Sequence, residues 1–267
     1  MKKTVVRVVA IDLIFLLLLI VAGAFSGALS EIVYIGAYLV PLGAFLWLRG
    51  DSHQMKLGLS IDGADAAMCL PLIAPTIGVM LGLSALTSLA LALCGVSGTQ
   101  PLTGSIFELL ILHALLPAIL EEALFRYVPI ALIAPHSRKS AVLISALLFS
   151  VAHCNIAQIP YAFVAGIVFA IVDIACASIL PSVALHLLNN VVSVIWIWDA
   201  SAPIYRLPLL IAVATLGVAS IALVVIFRSR YAKKVSFIAD KDDKTSIVPQ
   251  VWVFVAVCLL LAVGSLV

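Results

Sequence analysis

The sequence predicts an all-α fold: a polytopic bundle of about eight to nine transmembrane helices, forming one integral membrane domain over residues 1–267. Three observations support this prediction. Hydrophobic residues make up 64% of the chain and charged residues only 10%, whereas a soluble domain has about 25% charged residues. Apolar stretches close to the ~20 residues that a membrane crossing needs recur along the whole chain. The Lys and Arg residues concentrate in every second connection between these stretches.

Nine apolar stretches are candidates for membrane spans. The third is long and contains Pro71 and Pro75, which predicts an interruption, and the fifth is short. The first follows MKKTVVR, which looks like the start of a signal peptide, but its apolar run is long enough to be a retained span. The nine stretches are residues 5–28, 31–49, 66–95, 105–134, 140–155, 158–179, 182–199, 206–228 and 249–267.

The basic residues predict that the N-terminus lies in the cytoplasm. In that orientation the inside connections hold all but two of the 15 Lys and Arg residues. Of the two exceptions, Arg206 lies in an outside connection and Arg126 lies within a span. The longest polar connection, residues 228–246, is predicted to be a solvated cytoplasmic loop by its composition.

Several common classes of site are missing from the sequence. There is no glycine-rich phosphate loop, and no basic patch with interleaved aromatic residues, so no nucleic-acid partner is expected. The five Cys residues form no CxxC pair and are scattered through apolar stretches. Neither a disulfide framework nor a zinc knuckle is therefore predicted.

The fourth stretch contains LPAILEEALFRYVPI, residues 116–130, with three ionisable side chains at membrane depth. Such residues usually face the interior of a bundle and mark function. Glu122 and Arg126 are four residues apart, so they share a helix face and can form an ion pair. Glu121 points elsewhere and has no partner on its own helix. It is therefore the candidate general base.

Two further stretches carry histidines. His153 shares a helix face with Phe149, and taken alone it is most simply a buried histidine bonded to a carbonyl. His186 shares a face with Asn190, and Asn189 lies about 60° to one side. These polar groups could hold helices together, or they could direct N–H donors at one point, as an oxyanion site requires.

Glu121, His153 and His186 together could also form a zinc site with two histidines and one carboxylate. The sequence has no HExxH motif and offers no obvious carboxylate to orient either histidine; Asp173 is a weak candidate for that role. A zinc-dependent and a metal-free mechanism both remain open at this point.

These segments resemble a known family. EEALFR fits the pattern EExxxR, FSVAH fits FxxxH, and HLLNN fits HxxxN, in that order on successive membrane helices. Together they resemble the CPBP family, which includes type II CAAX prenyl endopeptidases and the bacteriocin-processing or self-immunity proteins of the Abi group. The resemblance covers residues 117–190, which would be the catalytic core.

The resemblance implies an intramembrane endopeptidase that uses a glutamate-activated water. Glu121 would be the general base, and His153 would hold and polarise the water. His186 and Asn190 would stabilise the oxyanion of the tetrahedral intermediate. The residues that would shape the site are Glu122, Arg126 and Phe149.

The resemblance leaves the substrate open. The expected partners are the lipid bilayer and a membrane-embedded or membrane-anchored peptide, and the short chain with few loops suggests a prokaryotic cell membrane. No residue pattern in the sequence indicates recognition of a prenyl group. The sequence does not indicate an oligomeric state either. Two alternatives stand: a non-catalytic membrane interaction protein of the same fold, such as an immunity factor or scaffold, and a transporter, which the absence of an internal repeat disfavours.

One geometric expectation follows from helix rise. The fifth and seventh stretches both run from the cytoplasmic side outward. His186 lies near the cytoplasmic start of the seventh and His153 near the outer end of the fifth, so the two residues are predicted at different depths. If the two residues act at one site, we expect the fifth helix to start deeper in the cytoplasm and to run past Asn155.

Overall fold

The computed structural model of the protein describes residues 1–48, 54–96, 104–198, 206–240, 243, 245 and 247–264. Within these residues the chain forms ten helices and no strand, which confirms the predicted all-α class. Nine of the helices correspond one to one with the nine apolar stretches, to within a few residues at each end. The tenth is a short helix in the 228–246 connection.

The helices run in chain order as follows. The third contains a 3₁₀ turn at Leu70–Leu72, so the predicted interruption at Pro71 is one tightened turn in a continuous helix. The ten helices are α1 (Lys2–Ala22), α2 (Ala28–Leu48), α3 (Gly63–Leu93), α4 (106–133), α5 (Arg138–Ala152), α6 (Ile159–Cys176), α7 (Leu180–Trp198), α8 (Arg206–Ile226), α9 (Arg228–Lys234) and α10 (Pro249–Gly264).

The protein is a multi-pass membrane helical bundle. Within the described residues, α1, α2, α3, α6 and α7 are each long and apolar enough to cross a membrane, and α8 is a sixth candidate that bends by 75° into α9. Helix α4 (106–133) is also long enough for a crossing, so the eight to nine spans stay a prediction. The 15 residues of α5 rise only about 22 Å, less than the ~30 Å hydrocarbon core. With 16 residues, α10 is similarly short.

The hydrophobic core is centred on α4 and α5. Every side chain over Val128–Ile133 is buried, and so are eleven of the side chains of α5. Helices α1, α2, α6 and α10 pack around these two and complete the largest apolar cluster. Glu122 and Arg126 on α4, both fully buried, therefore face protein rather than lipid, which is the environment in which a membrane protein tolerates ionisable residues.

Helices α5 and α6 pack most closely at Gly166. A Cβ atom placed on Gly166 would lie 2.9 Å from the Cα of Ala146 and 3.2 Å from a guanidinium nitrogen of Arg126. Real Cβ atoms do not approach a backbone atom so closely, so a side chain here must push the helices apart. Because Gly166 has no side chain, α5 and α6 can approach this closely, and α6 packs directly against Arg126.

We expect Gly166→Ala to destabilise the protein by about 1–3 kcal/mol, the usual cost of overpacking a tight core. The measurement is thermal unfolding in detergent. Gly36→Ala is the matched control, because nothing lies within 4 Å of a Cβ at Gly36 in α2. A helix normally gains stability from that change. Equal stability of Gly166→Ala and the wild type would contradict the close packing described here.

Segments rich in basic residues meet at one end of the bundle. Thr4 Oγ1 and His136 Nε2 are 3.5 Å apart, which joins the start of α1 to the α4–α5 connection. The backbone N–H of Lys139 donates to Asp243 Oδ2 at 3.1 Å, which adds the 228–246 connection to the same end. This arrangement agrees with the predicted grouping of basic residues, and the cytoplasmic location of that end stays a prediction.

Part of the 228–246 connection contacts the bundle, although most of its described side chains are exposed. Tyr231 Oη, on α9, donates to the carbonyl oxygen of Met68 at 2.7 Å. Lys234 Nζ lies 2.6 Å from Asp65 Oδ1 at the start of α3, and this hydrogen bond raises the pKa of Lys234. Two polar side chains of this connection thus have partners on α3, and the solvated cytoplasmic loop stays a prediction.

Candidate active site

The helix that carries the two glutamates, α4, contains two π turns, Ile111–Leu115 and Ala123–Tyr127. Each is followed within two residues by a proline, which has no N–H to offer the carbonyl four residues earlier. Pro129 thus frees the carbonyl of Phe125. Ser145 Oγ on α5 donates to that oxygen at 2.5 Å, so the irregular backbone of α4 binds directly to its neighbour.

The predicted ion pair on α4 is present. Arg126 Nε lies 3.4 Å from Glu122 Oε2, and both side chains are 0% exposed. The guanidinium also donates to the carbonyl of Phe125 at 3.1 Å and to Ser145 Oγ at 3.3 Å. The ring of Phe149 lies 4.1 Å below its central carbon. These contacts compensate in part for the loss of water around the buried cation.

Glu122 has a second partner that sequence reasoning missed. Its Oε1 accepts a hydrogen bond from His186 Nδ1 at 2.7 Å, so it is the carboxylate that orients this histidine. Asp173, the candidate named for such a role, instead accepts from the backbone N–H of Ser182 at 3.1 Å, near the start of α7. The Glu122–His186 contact joins α4 to α7, and no sequence spacing could have revealed it.

His153 is the residue that immediately follows α5. Its Nδ1 donates to the carbonyl of Phe149 at 2.8 Å, as a buried histidine commonly does. The Phe149 ring packs edge-on against the imidazole, with the ring centroids 4.9 Å apart. The expectation that α5 runs past Asn155 is wrong, because the helix ends at Ala152.

Three predicted site residues converge despite the early end of α5. Glu121 Oε2 lies 3.9 Å from His153 Nε2 and 3.8 Å from His186 Nε2. The two imidazoles donate through Nδ1, so in their neutral forms both Nε2 atoms carry lone pairs. Three acceptors then face one another just beyond hydrogen-bonding distance. Such a cluster requires a donor among them, either a water molecule or an additional proton on one imidazole.

The possibility of a metal site can be tested on this geometry. The donor types at Glu121, His153 and His186 are those that zinc uses. In the part of the chain that the structure describes, however, no group of three or more His, Cys, Asp or Glu side chains is arranged so that it could hold a metal ion. The proposed reaction uses only side chains and water.

Glu121, His153 and His186 line a cavity of about 1430 Å³. Asn190 and Asn189 also line it, and Asn189 Nδ2 donates to Asn190 Oδ1 at 3.4 Å. That bond occupies the acceptor end of Asn190, so the amide nitrogen is the end available to a ligand. Much of the remaining wall is apolar, with large contributions from α3 and α8, which suits a ligand with a hydrophobic segment.

Residues 103–192 match the family model described as Type II CAAX prenyl endopeptidase Rce1-like. This part of the chain is Rce1-like. The match covers about a third of the sequence and includes all three motifs, so the predicted resemblance to the CPBP family is confirmed for this segment. That family is a protease family, so the Rce1-like segment is similar to proteases. Searches among curated proteins and among solved structures found no match.

One contact of the site comes from outside the Rce1-like segment. Tyr38 Oη, on α2, donates to Glu121 Oε1 at 3.3 Å. Sequence reasoning missed this residue, because Tyr38 belongs to none of the three motifs. The available signal was weak: Tyr34 and Tyr38 share one face of an otherwise apolar helix.

Proposed function

We propose that the protein is an intramembrane endopeptidase that hydrolyses peptide bonds of a membrane-embedded or membrane-anchored substrate. The observation that carries the proposal is the convergence of the Glu121 carboxylate with two imidazoles in a largely apolar cavity. A water molecule beside Glu121 Oε2 would lie next to a carboxylate able to take its proton. General-base activation of this kind contributes about 10²–10⁴-fold to a rate.

The proposed reaction begins when Glu121 removes a proton from the water as the oxygen attacks the scissile carbonyl carbon. His153 Nε2 accepts the second hydrogen of the water and fixes its orientation. Attack gives a tetrahedral intermediate with a negatively charged oxygen. Glu121 then returns its proton to the leaving nitrogen and the C–N bond breaks. The products are an amine and a carboxylic acid, and the acid then gives its proton to Glu121 or to water.

The oxyanion needs donors, and α7 supplies two candidates. Asn190 offers an uncharged amide N–H. His186 offers an N–H at Nε2 when both its nitrogens carry a proton, with Nδ1–H donating to Glu122 Oε1 at 2.7 Å. Glu122 and Arg126 thus act on the chemistry through His186, and Phe149 packs between Arg126 and His153.

The shape and composition of the cavity support a substrate segment within or beside the bilayer of the cell membrane. Pocket walls from α3 and α8 are built largely from small and aliphatic side chains, and the polar groups gather at the α4–α7 end. A substrate can therefore place apolar residues along the wall and one peptide bond at Glu121. No role for nucleic acid enters this proposal.

The direct test uses purified wild-type protein in liposomes with a library of membrane-tethered fluorogenic peptides, in the presence and absence of a metal chelator. We expect cleavage by the wild type that the chelator leaves unchanged. Loss of cleavage on chelation would overturn the metal-free mechanism. Absence of cleavage by the folded wild type across the library would favour the alternative, a non-catalytic membrane interaction protein.

We expect Asn190→Ala to lower kcat by about 10²–10³-fold with little change in KM, since removing one oxyanion donor has that effect in other hydrolases. Steady-state kinetics on the best library peptide provide the measurement. Leu188→Ala is the control on the same helix: Leu188 is 39% exposed and lies outside the cavity wall, so little activity should be lost. A KM effect alone for Asn190→Ala would assign it to substrate binding instead.

A further inference from the structure

Tyr38 connects the N-terminal helices to the proposed base. It lies on α2, is 3% exposed, and donates its hydroxyl hydrogen to Glu121 Oε1 at 3.3 Å. The other carboxylate oxygen, Oε2, is the one that faces His153 and His186. The two oxygens of Glu121 therefore have different surroundings: one is held by α2 and the other faces the imidazoles.

We propose that Tyr38 is a positioning residue for Glu121, which rests on the proposed function of Glu121 as general base. The last torsion of a glutamate side chain is broad and roughly two-fold, so packing alone does not decide which oxygen points where. A hydrogen bond to Oε1 removes this ambiguity and keeps Oε2 toward the water site. Errors in placement on the scale of 1 Å can reduce a catalytic rate about 10²-fold.

Tyr34 strengthens this hydrogen bond. Its Oη lies 3.2 Å from Tyr38 Oη. Because Tyr38 has a single hydroxyl hydrogen and gives it to Glu121, Tyr34 must be the donor in the pair. The result is a chain from Tyr34 to Tyr38 to Glu121, in which each bond polarises the next.

The ring of Tyr38 is fixed by packing as well as by its hydroxyl. Phe15 of α1 lies 4.8 Å from it between ring centroids, and Phe15 also packs edge-on against Phe125 of α4 at 5.2 Å. The ring of Tyr34 lies on its other side at 5.3 Å. Helices α1 and α2, which lie outside the Rce1-like segment, thereby hold one atom of the site in place.

Tyr38→Phe tests the proposal, since phenylalanine keeps the ring contacts and removes only the hydroxyl. We expect kcat to fall by about 10- to 100-fold with KM unchanged, as a misplaced base would cause, and Tyr34→Phe to have a smaller effect. Tyr127→Phe is the matched control: Tyr127 packs on Phe45 at 6.0 Å, also between α2 and α4 but away from the cavity wall. An unchanged kcat in a Tyr38→Phe enzyme whose Glu121→Gln counterpart is inactive would overturn the proposal while leaving the function intact.

A second measurement does not depend on turnover. Dicyclohexylcarbodiimide labels protonated carboxyl groups in apolar surroundings, and mass spectrometry locates the label. The Tyr38 hydroxyl occupies Glu121 Oε1, and removing it leaves that oxygen accessible to the reagent. We therefore expect Tyr38→Phe to be labelled at Glu121 at least about three-fold faster than the wild type, with Tyr127→Phe unchanged. Equal labelling rates in all three proteins would overturn the proposal, even if no substrate were cleaved.

Discussion

Replacing Glu121 by glutamine is expected to abolish measurable hydrolysis, with a loss in kcat of about 10²–10⁴-fold for removal of a general base. Glutamine has the shape of glutamate and can still accept from Tyr38 at Oε1, but its amide cannot take a proton from water. KM should change little, because the polar end of the side chain contacts the reacting atoms rather than the apolar wall. The measurement is single-turnover cleavage of a tethered peptide.

The control for this variant is Glu108→Gln. Glu108 lies on α4 as well, is exposed, and lies outside the cavity wall, so the same change of charge should leave activity intact. Circular dichroism and gel filtration in detergent would show that both variants are folded. Hydrolysis by folded Glu121→Gln at the wild-type rate would remove Glu121 from the mechanism, and with it the base assigned here.

Replacing Arg126 by methionine is expected to be the most destabilising single change in the site. Glu122 and Arg126 are both 0% exposed, so loss of the cation leaves a carboxylate buried against only His186. Breaking a buried ion pair from one side typically costs about 3–5 kcal/mol. The carbonyl of Phe125, freed by Pro129, would also lose one of its two donors. Thermal unfolding in detergent measures the effect.

A double variant separates the charge from the packing. Glu122→Gln in the Arg126→Met background removes the unpaired charge and keeps an amide oxygen that can accept from His186 Nδ1. Replacing both members of a buried pair is often close to neutral, so we expect the double variant to regain a clear part of the lost stability. If it is no more stable than Arg126→Met, charge burial does not explain the destabilisation. The alternative would be lost contacts to Phe149 and Ser145.

Much of the fold could be predicted from composition and spacing. Water is absent from the bilayer core, so backbone polar groups must bond within a helix, and each apolar stretch had to become helical. The Glu122–Arg126 pair was predictable for a similar reason, because a four-residue spacing places two side chains on one face of any helix. The number of membrane spans follows less directly from composition, because α5 and α10 are apolar but shorter than a full crossing.

The sequence by itself determined the helices, the local ion pair and the three motifs, all of which follow from neighbours along the chain. Only the tertiary structure decided that Glu122 also orients His186, that Tyr38 holds Glu121, and that His153 reaches the site from just beyond the end of α5. These contacts join residues 64 and 83 positions apart in the first two cases. Helix periodicity relates only residues a few positions apart; the packing of α2, α4, α5 and α7 determines which faces meet.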